Sequence, residues 1–138
     1  FQSQILLELP LVLLVEKSSR LQSAEELWKR DKIEEPLVSL PAHEMLTKIF
    51  QAKLAELEVE WFPSIEASSV DLIETYVANG LGIGLSVAMP KSHLPTKVRI
   101  LPLKNFPSAQ IGALWREKKT PLLEAFLDMA RKRAQEIR

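Results

Sequence analysis

Three of the four glycines fall within five residues, Gly80-Leu81-Gly82-Ile83-Gly84. Glycine clusters can cradle phosphates, because backbone amides approach an oxyanion closely where no Cβ intervenes. A dinucleotide site needs strand, glycines and helix in that order, so that the helix start meets the pyrophosphate. Here the order is helix, glycines, strand, and the third glycine arrives one residue early. The roles left are structural. Gly80 suits the left-handed residue that closes a helix, and Gly82 and Gly84 suit close backbone packing where the chain enters a sheet.

A second arrangement lies at two helix starts. Ser39-Leu40-Pro41-Ala42-His43 leads into one helix and Ile65-Glu66-Ala67-Ser68-Ser69 into another, each directly after a strand. In an open α/β sheet such starts share the carboxyl edge, where ligands bind. Helix starts present unpaired amides and partial positive charge, suited to a carboxylate or sulfate-like group. Ser39, Ser68 and Ser69 could add hydroxyls. Serine also caps helices where no ligand is involved, so both roles stay open for these residues. His43 could sense an anion or pH there; as a lone histidine at a helix start it is equally a polar surface residue.

Other chemistry has no support in the residues. There is no cysteine, which removes disulfide scaffolds, thiol catalysis and cysteine zinc sites. The two histidines, His43 and His93, are too far apart for a local metal clip. No P-loop, HExxH or Ser-His-Asp order occurs, and no committed acid/base pair is visible. No catalytic residue, metal or cofactor is expected. Arg131-Lys132-Arg133 resembles a nucleic-acid patch, but cations belong at a helix C-terminus, so a solvated face is expected there.

The elements that hold these segments follow from periodicity. Leu11–Val15 is a continuous apolar run beside Pro10, the pattern of a strand buried on both faces. Ser23-Ala24-Glu25-Glu26 spells a capping box for a short helix through Trp28. Leu37–Leu40 reads as a strand, and 43–55 as an amphipathic helix with Met45, Leu46, Ile49, Phe50 and Leu54 on one face. Val59–Ile65 is extended, with Pro63 marking an edge or a bulge. A helix over 70–79 buries Val70, Ile73 and Val77. Strands follow over 83–88, 98–103 and 111–115, and Thr120-Pro121 opens a last helix with a long apolar stripe. Strands alternate with helices throughout, so the class is α/β with a largely parallel sheet.

The 138 residues are 46% hydrophobic and 26% charged, which suits one globular domain. Lys plus Arg equals Asp plus Glu at 18 each, so there is no basic excess for phosphate neutralisation. The apolar stretch from Ile5 to Val15 is broken by Glu8 and Pro10, and a membrane span needs about 20 apolar residues; no membrane role is expected. It also lacks the basic start and cleavage pattern of a signal peptide, and a cytoplasmic setting is expected. The stripe on the last helix finds too few strands to cover it, so part of the sheet is expected from sequence outside this chain.

Ser68–Ala88, SSVDLIETYVANGLGIGLSVA, carries a pattern of its own: a hydroxyl residue, a helix ending V-A-x-G-L-G-I, then a strand. It resembles the effector-binding domain of LysR-type transcriptional regulators. Other segments agree in order. Pro10–Val15 is similar to the family's strand ahead of its Ser/His-Pro-Leu segment, here the divergent Ser18-Ser19-Arg20-Leu21. Ser23–Leu27, Glu35–Val38 and Thr120-Pro121 with Phe126 resemble a short helix, the strand behind it and the closing helix.

The resemblance implies a periplasmic-binding-protein-like (type II) fold, two α/β subdomains with the effector in the cleft between them. Residues 1–110 correspond to the second subdomain with a crossover strand. Residues 111–138 correspond to the returning strand and C-terminal helix of the first, whose body would lie outside this chain. It further implies a small-molecule effector, expected to be anionic, and a homodimer or homotetramer that touches DNA only through a helix-turn-helix domain outside the chain. By position Ser68 matches the hydroxyl residue that touches effector, and Ser39 and Pro41 fall in the facing loop. Pro41 has neither donor nor hydroxyl, so the amides of Ala42 and His43 are the expected donors. A transporter's solute receptor shares the fold, as does an enzyme such as a small dehydratase; the receptor would be exported, and the enzyme would need the acid/base pair that is missing.

Overall fold

The computed structural model describes residues 8–88 and 94–110. In chain order the elements are β1 (Glu8–Leu9), β2 (Leu11–Glu16), α1 (Glu25–Trp28), β3 (Leu37–Ser39), α2 (Met45–Glu56), β4 (Pro63–Glu66), α3 (Val70–Ala78), β5 (Ile83–Val87), β6 (Val98–Pro102) and β7 (Ala109–Gln110). His93, the strand expected over 111–115, the last helix and Arg131-Lys132-Arg133 lie outside the described residues.

Five strands form one sheet in the order β4-β3-β5-β2-β6. β3 pairs in parallel with β4 and β5, but β2 runs antiparallel to both β5 and β6. The sheet is therefore mixed, which corrects the expectation of a largely parallel one. An unbroken apolar run such as Leu11–Val15 says that both faces are covered. It carries no information about direction. All five of those residues are buried, with Leu13 fully so.

The crossovers β3-α2-β4 and β4-α3-β5 travel in opposite directions across the sheet. Right-handed crossovers then put α2 and α3 on opposite faces. α3 packs on β2, β3, β5 and β6. A Cβ at Gly84 would stand 2.5 Å from Ile73 Cγ2 and 2.8 Å from Val77 Cγ2, so the absent side chain sets how closely α3 lies on β5. α2 buries Leu46, Thr47, Phe50 and Leu54. Phe50 meets Phe106, Trp61 and Trp28 at ring-centroid distances of 5.6, 6.1 and 6.5 Å. The Trp61 indole N–H donates to the Glu35 carbonyl at 2.8 Å, so the polar edge of a buried ring has a partner.

Two local details depart from expectation, and a third meets it. α2 begins at Met45, and Met45 is exposed at 41%, because the apolar face starts one residue later at Leu46. The capping box of α1 is half formed: Glu26 accepts the amides of Gln22 and Ser23, but the Glu26 amide meets the Ser23 carbonyl, and Ala24 is the N-cap. Pro63 is both things anticipated, on the edge strand β4 and beside a register shift opposite Leu37 and Val38. A separate two-stranded ladder pairs Glu8 with Gln110 and Leu9 with Ala109. The described body thus begins and ends side by side.

Candidate functional site

The two helix starts share one edge because β3 and β4 are parallel neighbours, with Ser39 opposite Glu66. One residue further on, the Ala67 amide donates to the Ser39 carbonyl at 2.9 Å. The loop from Ser39 to Glu44 and the loop from Glu66 to Ser69 are therefore stitched together where they leave the sheet. Their helices then diverge to opposite faces of the sheet.

The six expected residues do not behave alike. Ser39 is fully buried, and its hydroxyl donates to the Leu40 carbonyl at 2.9 Å, so it braces the loop. Ser69 is the N-cap of α3, its hydroxyl accepting the Leu72 amide at 3.2 Å. Ser68 is exposed and makes no side-chain hydrogen bond among the described residues. Pro41 is half-buried, its carbonyl accepting the Glu44 amide at 3.0 Å, while Ala42 and His43 are exposed.

Two residues that sequence reasoning passed over also belong here. Thr47 is 2% exposed and its hydroxyl donates to the same Leu40 carbonyl at 2.9 Å, tying the first turn of α2 to the end of β3. Its polar type in an apolar face was the available signal. Glu44 is the N-cap of α2 but makes no side-chain cap bond, and among the described residues no other side chain accepts from the first-turn amides of that helix. The Glu44 side chain is 6% exposed, and its carboxyl is ion-paired with His43 Nε2 at 3.5 Å. Position alone gave no hint of it, since acidic residues are common at helix starts.

The glycine cluster lies at the other edge of the sheet. Gly80 has φ +76° and closes α3, as expected of a left-handed cap. A Cβ at Gly82 would fall 2.4 Å from the Pro36 carbonyl oxygen, which explains the second glycine. Gly80 and Gly82 line a cavity of about 160 Å³ together with Glu16 and Glu35, and the Glu16 carboxyl stands 3.4 Å from where a Gly80 Cβ would lie. Carboxylates repel phosphate, so the surroundings argue against a nucleotide cradle as the chain order does. Burial pushes the Glu35 carboxyl up, but the Arg30 guanidinium, with bonds of 2.7 and 2.9 Å, and backbone hydrogen bonds at Glu35 and Glu34 together outweigh it and hold the group below its ordinary range. Among the described residues no cluster of three or more His, Asp or Glu could hold a metal, and no helix is long and apolar enough to cross a membrane.

The sequence profile of the LysR substrate binding domain matches residues 1–135. The chain belongs to that family. The LysR substrate-binding fold is seen again in solved structures. HinK, a LysR family transcriptional regulator from Pseudomonas aeruginosa, is 20% identical with a TM-score of 0.58 over 91% of this chain and 45% of its own. The CcmR regulatory domain from Synechocystis PCC6803, solved in complex with 2-PG, is 18% identical with a TM-score of 0.60 over 89% of this chain and 62% of its own. A substrate-binding domain assigned to a molybdenum ABC transporter of Clostridium difficile gives 14% identity and 0.55 over 75% of this chain and 49% of its own. At these identities the likeness is one of fold, and it includes the periplasmic-binding-protein-like architecture. The chain spans about half the length of the HinK chain it matches. No curated protein matches it significantly in sequence.

Proposed function

We propose that this chain is the ligand-sensing part of a LysR-type transcriptional regulator. The observation that carries the proposal is the family match over a sheet edge where two helix starts are stitched together and one lacks a side-chain cap. Unsatisfied first-turn amides and the open Ser68 hydroxyl suit a small metabolite with an acidic group. Residues 1–110 form one subdomain, and 111–138 return to the other. Ligand held between the two shifts their relative orientation, and differential affinity for one arrangement sets the size of the response. No step of catalysis is involved. The output is DNA binding by a helix-turn-helix domain outside this chain, in a cytoplasmic homodimer or homotetramer.

The test uses the intact protein. Operator binding should change when a small carboxylic acid binds by calorimetry, and Ser68→Ala should weaken both together. Ligand binding with no effect on DNA, or recovery of the protein outside the cytoplasm, would replace the regulator with a transport receptor of the same fold.

A further inference from the structure

Four polar or charged residues are buried among those described: Ser39, Glu44, Thr47 and Ser86. Three of them have partners. Ser39 and Thr47 donate to the Leu40 carbonyl, and Glu44 is ion-paired with His43. Ser86 is 2% exposed and makes no side-chain hydrogen bond among the described residues. It lies in β5, where all five residues are buried and the other four are apolar or glycine. A buried hydroxyl without a partner costs free energy that alanine would not. The group therefore calls for a partner from outside the chain.

The fold shows where such a partner would stand. A Cβ at Gly84 would meet Ile73 and Val77 of α3. Side chains alternate along a strand, so Ser86, two residues on, lies on the same face, under α3. Gly80 closes α3 just before β5 begins at Ile83, so the helix runs back along the strand and its start lies over the strand's far end. Val38 is level with Gly84 in the parallel strand β3, which puts Ser86 level with Leu40, one residue past Ser39 at the carboxyl edge. On the other side its register partner is Val12 of β2. Among the described residues no fully enclosed side-chain oxygen lacks a hydrogen bond, so the Ser86 hydroxyl keeps a small opening. Strands close both of its sides and α3 closes its face. The way out is the carboxyl edge, where α3 starts and Ser68 is exposed.

We propose that Ser86 is a ligand contact: its hydroxyl hydrogen-bonds an oxygen of the small acid bound at that edge, beneath the first turn of α3. This rests on the ligand-sensing role proposed above and adds a residue from a third strand to the site. The hydroxyl has its partner only when ligand is bound, so one group lowers the stability of the free protein and raises its affinity.

The experiment pairs urea unfolding of the ligand-free intact protein with calorimetry against acetate, lactate, malate, succinate and citrate. Ser86→Ala should leave the urea midpoint unchanged or raise it, whereas Ser39→Ala, which removes a bonded hydroxyl, should lower it. Ser86→Ala should also weaken the best-binding acid by about fivefold or more. A lowered midpoint in Ser86→Ala would mean that the hydroxyl has its partner within the protein, and would overturn the proposal. A midpoint not lowered, with affinity unchanged, would overturn it too, because ordered water would then be the partner. Both of those outcomes leave the sensing site standing if Ser68→Ala weakens the same acid. Failure of all five acids to bind the unaltered protein would overturn both readings.

Discussion

The Ser69 hydroxyl accepts the Leu72 amide at 3.2 Å, while the hydroxyl of Ser68 beside it is exposed and unbonded among the described residues. Neighbouring serines thus divide two tasks. Ser69→Ala should lower stability by about 1 kcal/mol through loss of the cap, read from a urea midpoint. Ser68→Ala should leave that midpoint in place and weaken ligand by about 1 kcal/mol in calorimetry. The reverse assignment in the two assays would exchange their roles.

The glycines at 80 and 84 should differ sharply in tolerance. Ala at 84 would drive a Cβ into Ile73 and Val77, and overpacking of this kind costs about 1–3 kcal/mol. Ala at 80 meets nothing closer than the Glu16 carboxyl at 3.4 Å and is strained only by its positive φ, at about 1 kcal/mol. Urea unfolding of both variants checks the order; equal losses would mean that α3 can slide on β5.

Trp61→Phe keeps the ring cluster and removes the N–H that satisfies the Glu35 carbonyl. A loss of about 1–2 kcal/mol is expected, with α2 destabilised as a unit in hydrogen exchange. A neutral change would show that water reaches the carbonyl.

Glu35 sets a modest acid dependence. Its folded carboxyl titrates below its ordinary range because Arg30 and local backbone hydrogen bonds together outweigh burial. A depressed value means stability that is present at neutral pH, above the unfolded value, and lost as pH falls through the folded one. Both side chains are more than a third exposed, so the pair is worth at most about 1 kcal/mol and is screened by salt. Glu35→Gln should flatten the acid limb of the stability profile slightly, and should do nothing at high salt.

Much of this architecture is legible in residue types alone. Val70, Ile73 and Val77 mark the buried face of α3, and Gly80 marks its end, because periodicity and a positive φ are local properties. The segments Ser39–His43 and Ser68-Ser69 do meet at one edge, since two parallel neighbours each lead into a helix. What each hydroxyl does there is not local. Ser39 and Thr47 converge on Leu40 through the approach of α2 to β3, and Glu44 is enclosed by tertiary packing, so nothing in their spacing distinguishes them from surface polar residues. Strand direction escaped for the same reason: Leu11–Val15 shows burial but not which neighbours it acquires.

β2 is the longest strand of the sheet and lies between β5 and β6, both encoded far downstream. Leu14 faces Gly84 on one side and Ile100 on the other. A ribosome adding roughly 5–20 residues per second therefore displays the Leu11–Val15 segment for several seconds before either partner exists. During synthesis this protein carries a naked apolar ribbon whose natural cover has not been made. Its yield in a cell should depend on chaperones that hold extended hydrophobic chains more than on the stability of the finished fold.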